Sequence, residues 1–311
     1  MKENGQPATG PRRRGLAAVR TPSSVPTVVY SPAPGRPPGL EVLDLPEFTA
    51  GATERGHPLT TPSRPSFHLV VAVRAGTLTC SVDFVSYRLE PGDWLWVWPG
   101  QVLRFDDGLA ECDATVLVFP AGFPGATTDA LIRDGEHVPH RRVTPGPSRQ
   151  RSLLRLLDVL AEEYGSLTGL TLEAYVQTLR DLLSVILIRL VHLADPGRQT
   201  RPAAENEPFR LFREAVEKGF RQTHRVDDYA AELGYSPRTL TRAAKAALGV
   251  GAKRYIDDRV LLEAKRLLVH TGLPPAAIGA DIGFTHPTAF SAFFRQHTGM
   301  TPVEFRRATR T

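Results

Sequence analysis

A duplicated segment near the end of this 311-residue chain constrains its fold more than any other feature. AAELGYSPRTLTRAAKAALGVGAKRY, from Ala230, aligns with GADIGFTHPTAFSAFFRQHTGMTPVEF, from Gly279. The matched pairs are Leu233/Ile282, Gly234/Gly283, Tyr235/Phe284, Ser236/Thr285, Leu240/Phe290, Ala244/Phe294, Lys245/Arg295, Gly249/Gly299 and Tyr255/Phe305. Helices this short bury too little surface to be stable alone. The repeat therefore predicts two small helical units on a shared scaffold.

Start and stop signals give these units their predicted boundaries. Ser236 suits an N-cap and Pro237 the first helical turn, while glycines follow each predicted helix. Two short helices joined by a tight turn are a helix-turn-helix. We predict an all-α domain over 209–308. Within it, the first helix-turn-helix covers about 227–248, a linker helix about 254–270 and the second helix-turn-helix about 275–298.

The second copy also resembles a known family. AAIGADIGFTHPTAFSAFFRQHTGMTPVEFRR is similar to the signature of AraC/XylS-type transcription regulators: a small-residue helix, Gly-Phe, Phe-x-x-x-Phe, Arg, Gly, then Thr-Pro-x-x-Phe-Arg. The resemblance spans about 207–308. It implies a sequence-specific regulator that binds promoter operators in double-stranded DNA, with the second helix of each unit in a major groove. RNA polymerase is a further partner if the protein is an activator.

The first unit carries the strongest candidates for DNA contacts. Leu240 and Ala244 are four residues apart and face inward on the predicted helix. The other faces carry the candidate DNA contacts. Arg238 and Arg242 are candidate base readers, Thr239 is a candidate base or phosphate contact, and Lys245 is a candidate phosphate contact.

The second unit differs at the position that matters most. Phe290 and Phe294 face inward, and Ala292 aligns with Arg242, where relatives commonly carry Arg in both units. Sequence preference should therefore come mainly from the first unit, since a bidentate Arg contact is worth ~1–3 kcal/mol of discrimination. The candidate DNA contacts of this unit are His286, Thr288, Ala289, Ala292 and Arg295.

Charge is divided along the chain in a way that fits a polyanionic partner. Residues 207–311 carry 17 Lys and Arg against 11 Asp and Glu, whereas residues 41–206 carry 15 against 21. The basic part coincides with the duplicated segment. No apolar stretch follows the basic N-terminus, so we predict no signal peptide, no membrane association and a bacterial cytoplasmic location.

The rest of the chain predicts a multidomain α+β protein. Residues 1–40 are rich in Pro and Arg and are predicted to be a disordered tail. Short runs of Val, Thr, Trp and Phe over 41–148 favour a small antiparallel barrel or sandwich. By the family resemblance this is a cupin-like antiparallel β-barrel that senses an effector, which makes a small-molecule effector a candidate partner.

Helical periodicity returns over 149–194, where two antiparallel helices are predicted. The second is apolar on more than one face, which favours pairing with another chain. We predict a homodimer through this pair, followed by a linker over 195–208.

Three tryptophans lie on one face of a predicted strand. Trp94, Trp96 and Trp98 alternate with Leu95 and Val97. Core packing is one interpretation, and the wall of an effector pocket is the other.

The ligand set of metal-dependent cupins is missing from this chain. Leu103 stands where many relatives place a His, and His68 has no neighbouring His. We predict no metal, no cofactor and no enzymatic activity, and Cys80 and Cys112 fit two reduced thiols. Two alternatives stay open: a cupin-type enzyme with an appended DNA-binding module, and a protein-interaction barrel with such a module.

Overall fold

The computed structural model describes residues 25–32, 36–135, 142–166, 169–194 and 207–309. Most of the predicted tail and linker lies outside these residues. At the end of the tail the structure differs from the disorder expected there. Thr27–Val28 form a strand, and Leu40 is completely buried. The apolar side chains of Val28, Tyr30 and Leu40 supply the burial that the surrounding prolines lack.

Ten strands lie in the described N-terminal part. They are β1 (Thr27–Val28), β2 (Glu41–Asp44), β3 (Arg64–Pro65), β4 (His68–Ala75), β5 (Leu78–Val82), β6 (Val85–Leu89), β7 (Trp94–Val97), β8 (Leu103–Asp107), β9 (Asp113–Phe119) and β10 (Arg142–Val143). A five-stranded antiparallel sheet has the order β10-β7-β4-β9-β2. A three-stranded antiparallel sheet has the order β6-β5-β8, and β1 pairs with β3 in parallel.

The two antiparallel sheets enclose one apolar core. Leu95 and Val97 face this core from the larger sheet, and Cys80 and Phe105 face it from the smaller one. The sheets share no strand and are not closed into a barrel over the described residues. An alternating pattern of apolar residues is compatible with a closed barrel and with two separate sheets. Closure depends on strand tilt and stagger, which the alternation does not encode.

Four helices accompany the sheets: α1 (Leu45–Glu54), α2 (Ala126–Gly135), α3 (Pro147–Gly165) and α4 (Leu172–Ala194). The antiparallel pair α3–α4 covers the second face of the larger sheet. Leu157 and Leu187 belong to the same buried cluster there as Trp94 and Trp96 of β7 and Trp98, which follows the strand. The predicted division of the two faces of this strand is confirmed.

Seven helices form the C-terminal domain: α5 (Glu207–Gly219), α6 (Val226–Leu233), α7 (Pro237–Leu248), α8 (Ala252–His270), α9 (Pro275–Asp281), α10 (Pro287–Thr298) and α11 (Pro302–Ala308). They share one core, in which Ile256, Val260, Ala264 and Leu268 of α8 are fully buried. The long helix α8 is thus the scaffold that the repeat predicted. Within the described parts of the chain, every helix is too short or too polar to span a lipid bilayer.

The backbone repeats as the sequence does. Gly234 and Gly283 both adopt a left-handed conformation after the first helix of each unit, with φ of 71° and 93°. The N–H of the next residue, Tyr235 or Phe284, donates to the carbonyl five residues before it, at 2.9 and 2.8 Å. This is the Schellman type of helix end. The predicted duplication is confirmed at this level.

The two glycines differ in their surroundings, which allows a matched comparison. An Ala side chain at Gly283 would place its Cβ 2.7 Å from the carbonyl oxygen of Arg221, whereas Gly234 faces open space. Both Gly→Ala changes should lower the free energy of unfolding by about 1–2 kcal/mol, because the left-handed backbone is unfavourable for Ala. We expect Gly283→Ala to lower the free energy of unfolding by about 1–3 kcal/mol more than Gly234→Ala, because of this overlap. Urea titration of both variants measures the difference, and equal losses would contradict it.

The β5–β6 hairpin of the N-terminal part, here called the β-domain, docks against α8. Asp83 and Phe84 form its tip, between β5 and β6, and both have positive φ, 46° and 75°. The Asp83 carboxylate accepts from Nε and Nη2 of Arg266, at 2.7 and 2.6 Å. Phe84 stacks on His270 with ring centroids 5.8 Å apart. Positive φ is unusual for two consecutive non-glycine residues, and the contacts with α8 hold Asp83 and Phe84 in this backbone conformation.

Candidate nucleic-acid interface

The second helix of the first unit, α7, begins with a side-chain cap. The hydroxyl of Ser236 accepts from the Thr239 N–H at 3.1 Å, and Pro237 follows at the first helical position. The two hydroxyls also lie within hydrogen-bond distance, 2.8 Å apart. Thr239 is half-buried. Its hydroxyl therefore takes part in the helix start, and its predicted contact with DNA stays a prediction.

The cations of α7 form one exposed stripe. Arg238, Arg242 and Lys245 are spaced by four and three residues and are all exposed, so they share one face of the helix. Leu240 and Ala244 are completely buried on the other side. The helix PRTLTRAAKAAL contains no Asp or Glu. This face of α7 therefore carries positive charge only.

These three cations differ from most arginines of the domain. Among the described residues, Arg238, Arg242 and Lys245 have no carboxylate within ion-pair distance. By contrast, Arg254 pairs with Asp258 at 2.9 Å. An unpaired guanidinium keeps its five donors available for phosphate or for the acceptor edge of guanine. The stripe is thus the most accessible cationic surface that α7 offers.

The second helix of the second unit, α10, also has one buried apolar face and one exposed face, but its exposed face carries fewer cations. Phe290 and Phe294 are completely buried. Thr288, Ala292 and Arg295 are exposed and occupy the positions equivalent to the three cations of α7. The equivalent stripe of α10 thus carries one cation, whereas the stripe of α7 carries three. The structure places every predicted contact of α10 on the surface and leaves the imbalance between the two units intact.

Histidines lie at both ends of α10. His286 is exposed at the N-cap and makes no capping bond with its side chain, and Ala289 is exposed one turn later. His297 lies at the other end, with its Nε2 4.0 Å from Oδ2 of the buried Asp257. Across the described residues no three His, Cys, Asp or Glu side chains are grouped to hold a metal.

Comparison with known proteins places this domain in a family. Residues 229–308 match the family described as "Helix-turn-helix domain". The arabinose operon regulatory protein of Escherichia coli is 35% identical over 81 residues, which are 26% of this chain and 28% of the relative. The C-terminal domain is an AraC-type helix-turn-helix domain. An uncharacterized HTH-type transcriptional regulator, YisR of Bacillus subtilis, is 28% identical over 118 residues, 38% of this chain.

Both of these relatives match less than half of this chain. The chain spans 41% of the length of the Bacillus relative and 28% of the Escherichia relative. A solved transcriptional regulator with an AraC-type DNA-binding domain, from Chromobacterium violaceum, is 29% identical. It covers 35% of this chain and 96% of its own, with a TM-score of 0.31.

Outside the AraC-type domain, the predicted effector residues are buried. Trp94, Trp96 and Trp98 are 1%, 6% and 7% exposed. The indole N–H of Trp96 donates to Nδ1 of His68 at 3.3 Å, and Trp96 and Trp98 stack with ring centroids 4.9 Å apart. Their packing under α3 and α4 fits the core interpretation, and their role in an effector pocket stays a prediction.

Sequence reasoning missed the ionic cluster that joins the two domains. Glu263 of α8 is 1% exposed and lies between arginines from distant parts of the chain. Arg64 reaches it from β3, and Arg221 reaches it from the loop after α5, at 3.4 and 3.0 Å. A glutamate on a basic helix gives no sequence signal for such a role, because its partners are up to 199 residues away.

Proposed function

We propose that this protein is a sequence-specific DNA-binding transcription regulator that inserts α7 and α10 into successive major grooves. The observation that carries the proposal is the carboxylate-free stripe of Arg238, Arg242 and Lys245 on the outer face of α7. A helix of this kind fits the major groove, where Arg can donate two hydrogen bonds to guanine. The regulatory names of the relatives support the same role.

The two units make unequal contributions in this proposal. Arg238 and Arg242 read bases from α7, and Lys245 contacts phosphate. On α10, Arg295 contacts phosphate, and Ala292 offers a methyl group that suits the methyl of thymine. The first half-site of the operator is then more strictly specified than the second.

For the N-terminal part we propose a cupin-like sensing domain without enzymatic activity. Two antiparallel sheets around one core, with two helices on the outer face, support this architecture. The domain responds to a small-molecule effector. Its contact with α8 through Asp83 and Arg266 connects such a response to the AraC-type domain.

The helical pair α3–α4 supplies the dimer contact in this proposal. Val159, Val185 and Ile188 expose 44%, 40% and 37% of their surface, although the inner faces of both helices are buried. Exposed apolar side chains on two adjacent helices favour pairing with another chain. A second copy would present two AraC-type domains to paired operator sites in a promoter, where an activator would also meet RNA polymerase.

Replacing Arg242 with Ala tests the proposal. Double-stranded DNA selected by the wild-type protein from a random library serves as the ligand, and a scrambled duplex gives the non-specific affinity. We expect Arg242→Ala to weaken binding to the selected duplex by roughly 10- to 100-fold, because a bidentate base contact is worth ~1–3 kcal/mol. Binding to the scrambled duplex should change much less.

Arg210→Ala is the matched control, because it removes the same charge from α5, where Arg210 pairs with Glu214 at 3.0 Å. It should leave both affinities nearly unchanged. Equal loss in the two variants would remove Arg242 from the base contacts. Failure of the wild-type protein to enrich any sequence would refute the proposed function as a whole.

A further inference from the structure

The helical pair α3–α4 carries a solvent-exposed groove with a volume of about 410 Å³. Its lining comes from the first three turns of α3 and from Arg189 of α4. Ligand pockets of proteins usually measure ≈ 300–1,000 Å³, so the groove has room for a small molecule. It lies outside the AraC-type domain, and an inference about it therefore does not depend on DNA binding.

Three arginines line this groove from two helices. Arg151 and Arg155 are one turn apart on α3, and Arg189 reaches the groove from α4. All three are exposed. Nη1 of Arg189 donates to the hydroxyl of Ser152 at 2.7 Å, which holds this guanidinium beside α3. Three positive charges therefore meet at one small groove.

These charges have no carboxylate within ion-pair distance in the part of the chain that the structure describes. The first eleven residues of α3, PSRQRSLLRLL, contain no Asp or Glu. The next residue, Asp158, pairs with Arg74 of β4 at 2.7 Å. The last thirteen residues of α4, LLSVILIRLVHLA, are also free of Asp and Glu. Because like charges repel one another, an anion bound in the groove would be stabilised.

The donors of the groove favour one kind of anion. Guanidinium groups bind phosphate through paired N–H donors. Three of them, on two helices, match the three free oxygens and double charge of a phosphate monoester better than the two oxygens and single charge of a carboxylate. Ser148 and Ser152 add hydroxyl groups to the same lining.

An apolar strip lies beside the arginines. Leu156 and Val159 complete the lining, and Val159 is 44% exposed. Apolar surface that a ligand removes from water contributes to its binding. The groove therefore favours a phosphate with an organic body over inorganic phosphate.

We propose that this groove binds a small organic phosphate. Its phosphate lies against Arg151, Arg155 and Arg189, and its body lies over Leu156 and Val159. The site is separate from the proposed base contacts on α7.

Calorimetric titration of the full chain with phenyl phosphate near neutral pH tests the site. Benzoate is the carboxylate match of this probe, phenol is its uncharged match, and inorganic phosphate lacks the organic body. We expect one phenyl phosphate to bind per chain, at least about tenfold tighter than benzoate and phenol. It should also bind several-fold tighter than inorganic phosphate, because of the apolar strip.

Arg155→Ala should weaken the binding of phenyl phosphate by at least about tenfold, because it removes one of the three cations. Arg149→Ala is the matched control. Arg149 lies on the same helix and is exposed, but it is not part of the lining. Its replacement removes the same charge and should leave the affinity within about twofold of the wild type.

Arg242→Ala distinguishes the groove from the cationic stripe of α7. If phenyl phosphate binds to that stripe instead, Arg242→Ala weakens binding and Arg155→Ala does not, which overturns the inference. Absence of saturable binding, binding of benzoate or inorganic phosphate as tight as that of phenyl phosphate, and equal losses in Arg155→Ala and Arg149→Ala would each overturn it as well.

The same variants are titrated with the scrambled and the selected duplex. If Arg155→Ala weakens binding to both duplexes and leaves phenyl phosphate binding intact, these arginines contact the DNA backbone, and the inference is wrong. Binding of the selected duplex without binding of phenyl phosphate refutes this inference alone. Binding of phenyl phosphate by a protein that selects no DNA sequence refutes only the proposed function.

Discussion

Replacing Glu263 with Gln is expected to lower the free energy of unfolding by about 3–5 kcal/mol, because it removes the negative partner from a buried ion cluster. The Glu263 side chain is 1% exposed. Its two oxygens face Arg64, Arg221, Arg259 and Arg266, at 3.4, 3.0, 3.3 and 3.5 Å. The neutral amide would leave Arg64 without a carboxylate partner, and the other three arginines would each keep only one, Asp281, Glu217 or Asp83. Urea titration at neutral pH measures the loss.

Asp281→Asn is the matched control for this change. Asp281 also binds Arg221, at 2.7 Å, but its side chain is 43% exposed. An exposed pair contributes about 0–1 kcal/mol, so its loss should be small. Equal effects of the two variants would show that burial of Glu263 has no energetic importance.

The pH dependence gives a second check on Glu263. Burial by itself would raise the pKa of Glu263, but the field of Arg259, Arg64, Arg266 and Arg221 outweighs burial and lowers it below the usual 4.5. A carboxylate with a depressed pKa in the folded state stabilises the protein above its unfolded pKa. That contribution is lost as the pH falls through the folded pKa. The difference in free energy of unfolding between the wild type and Glu263→Gln should therefore be constant near neutral pH and become smaller below about pH 4.5.

Replacing Phe294 with Ala is expected to lower the free energy of unfolding of the C-terminal domain by about 3–5 kcal/mol. Phe294 is completely buried between Phe290 and Phe305, with ring centroids at 5.9 and 5.3 Å. Its loss opens a cavity at the junction of α10 and α11, which cannot collapse without moving either helix. Because α10 is positioned by this contact, binding to the selected duplex should weaken as well.

Phe293→Ala is the control, since Phe293 lies on the same helix but is only partly buried. Its removal should cost less than half as much, because part of its surface is already exposed to water. Equal destabilisation by the two variants would mean that the inward face of α10 was assigned incorrectly.

The sequence predicted the C-terminal helices closely because their signals are local. Helices α6 and α7 begin and end at the residues that the caps and glycines indicated. The same local periodicity placed Arg238 and Arg242 outside and Phe290 inside. In the N-terminal part, the alternation along β7 was predicted, but the number of sheets was not. Strand order depends on contacts between distant segments.

The sequence by itself determined the two helix-turn-helix units, their family and the unequal charge of α7 and α10. Helical period, caps and a repeat are properties of neighbouring residues. Only the tertiary structure decided how the two domains meet. Asp83 and Arg266 are 183 residues apart, and Arg64 and Glu263 are 199 apart. No local pattern encodes such pairings, because the two partners meet only when the rest of the fold brings their distant segments together.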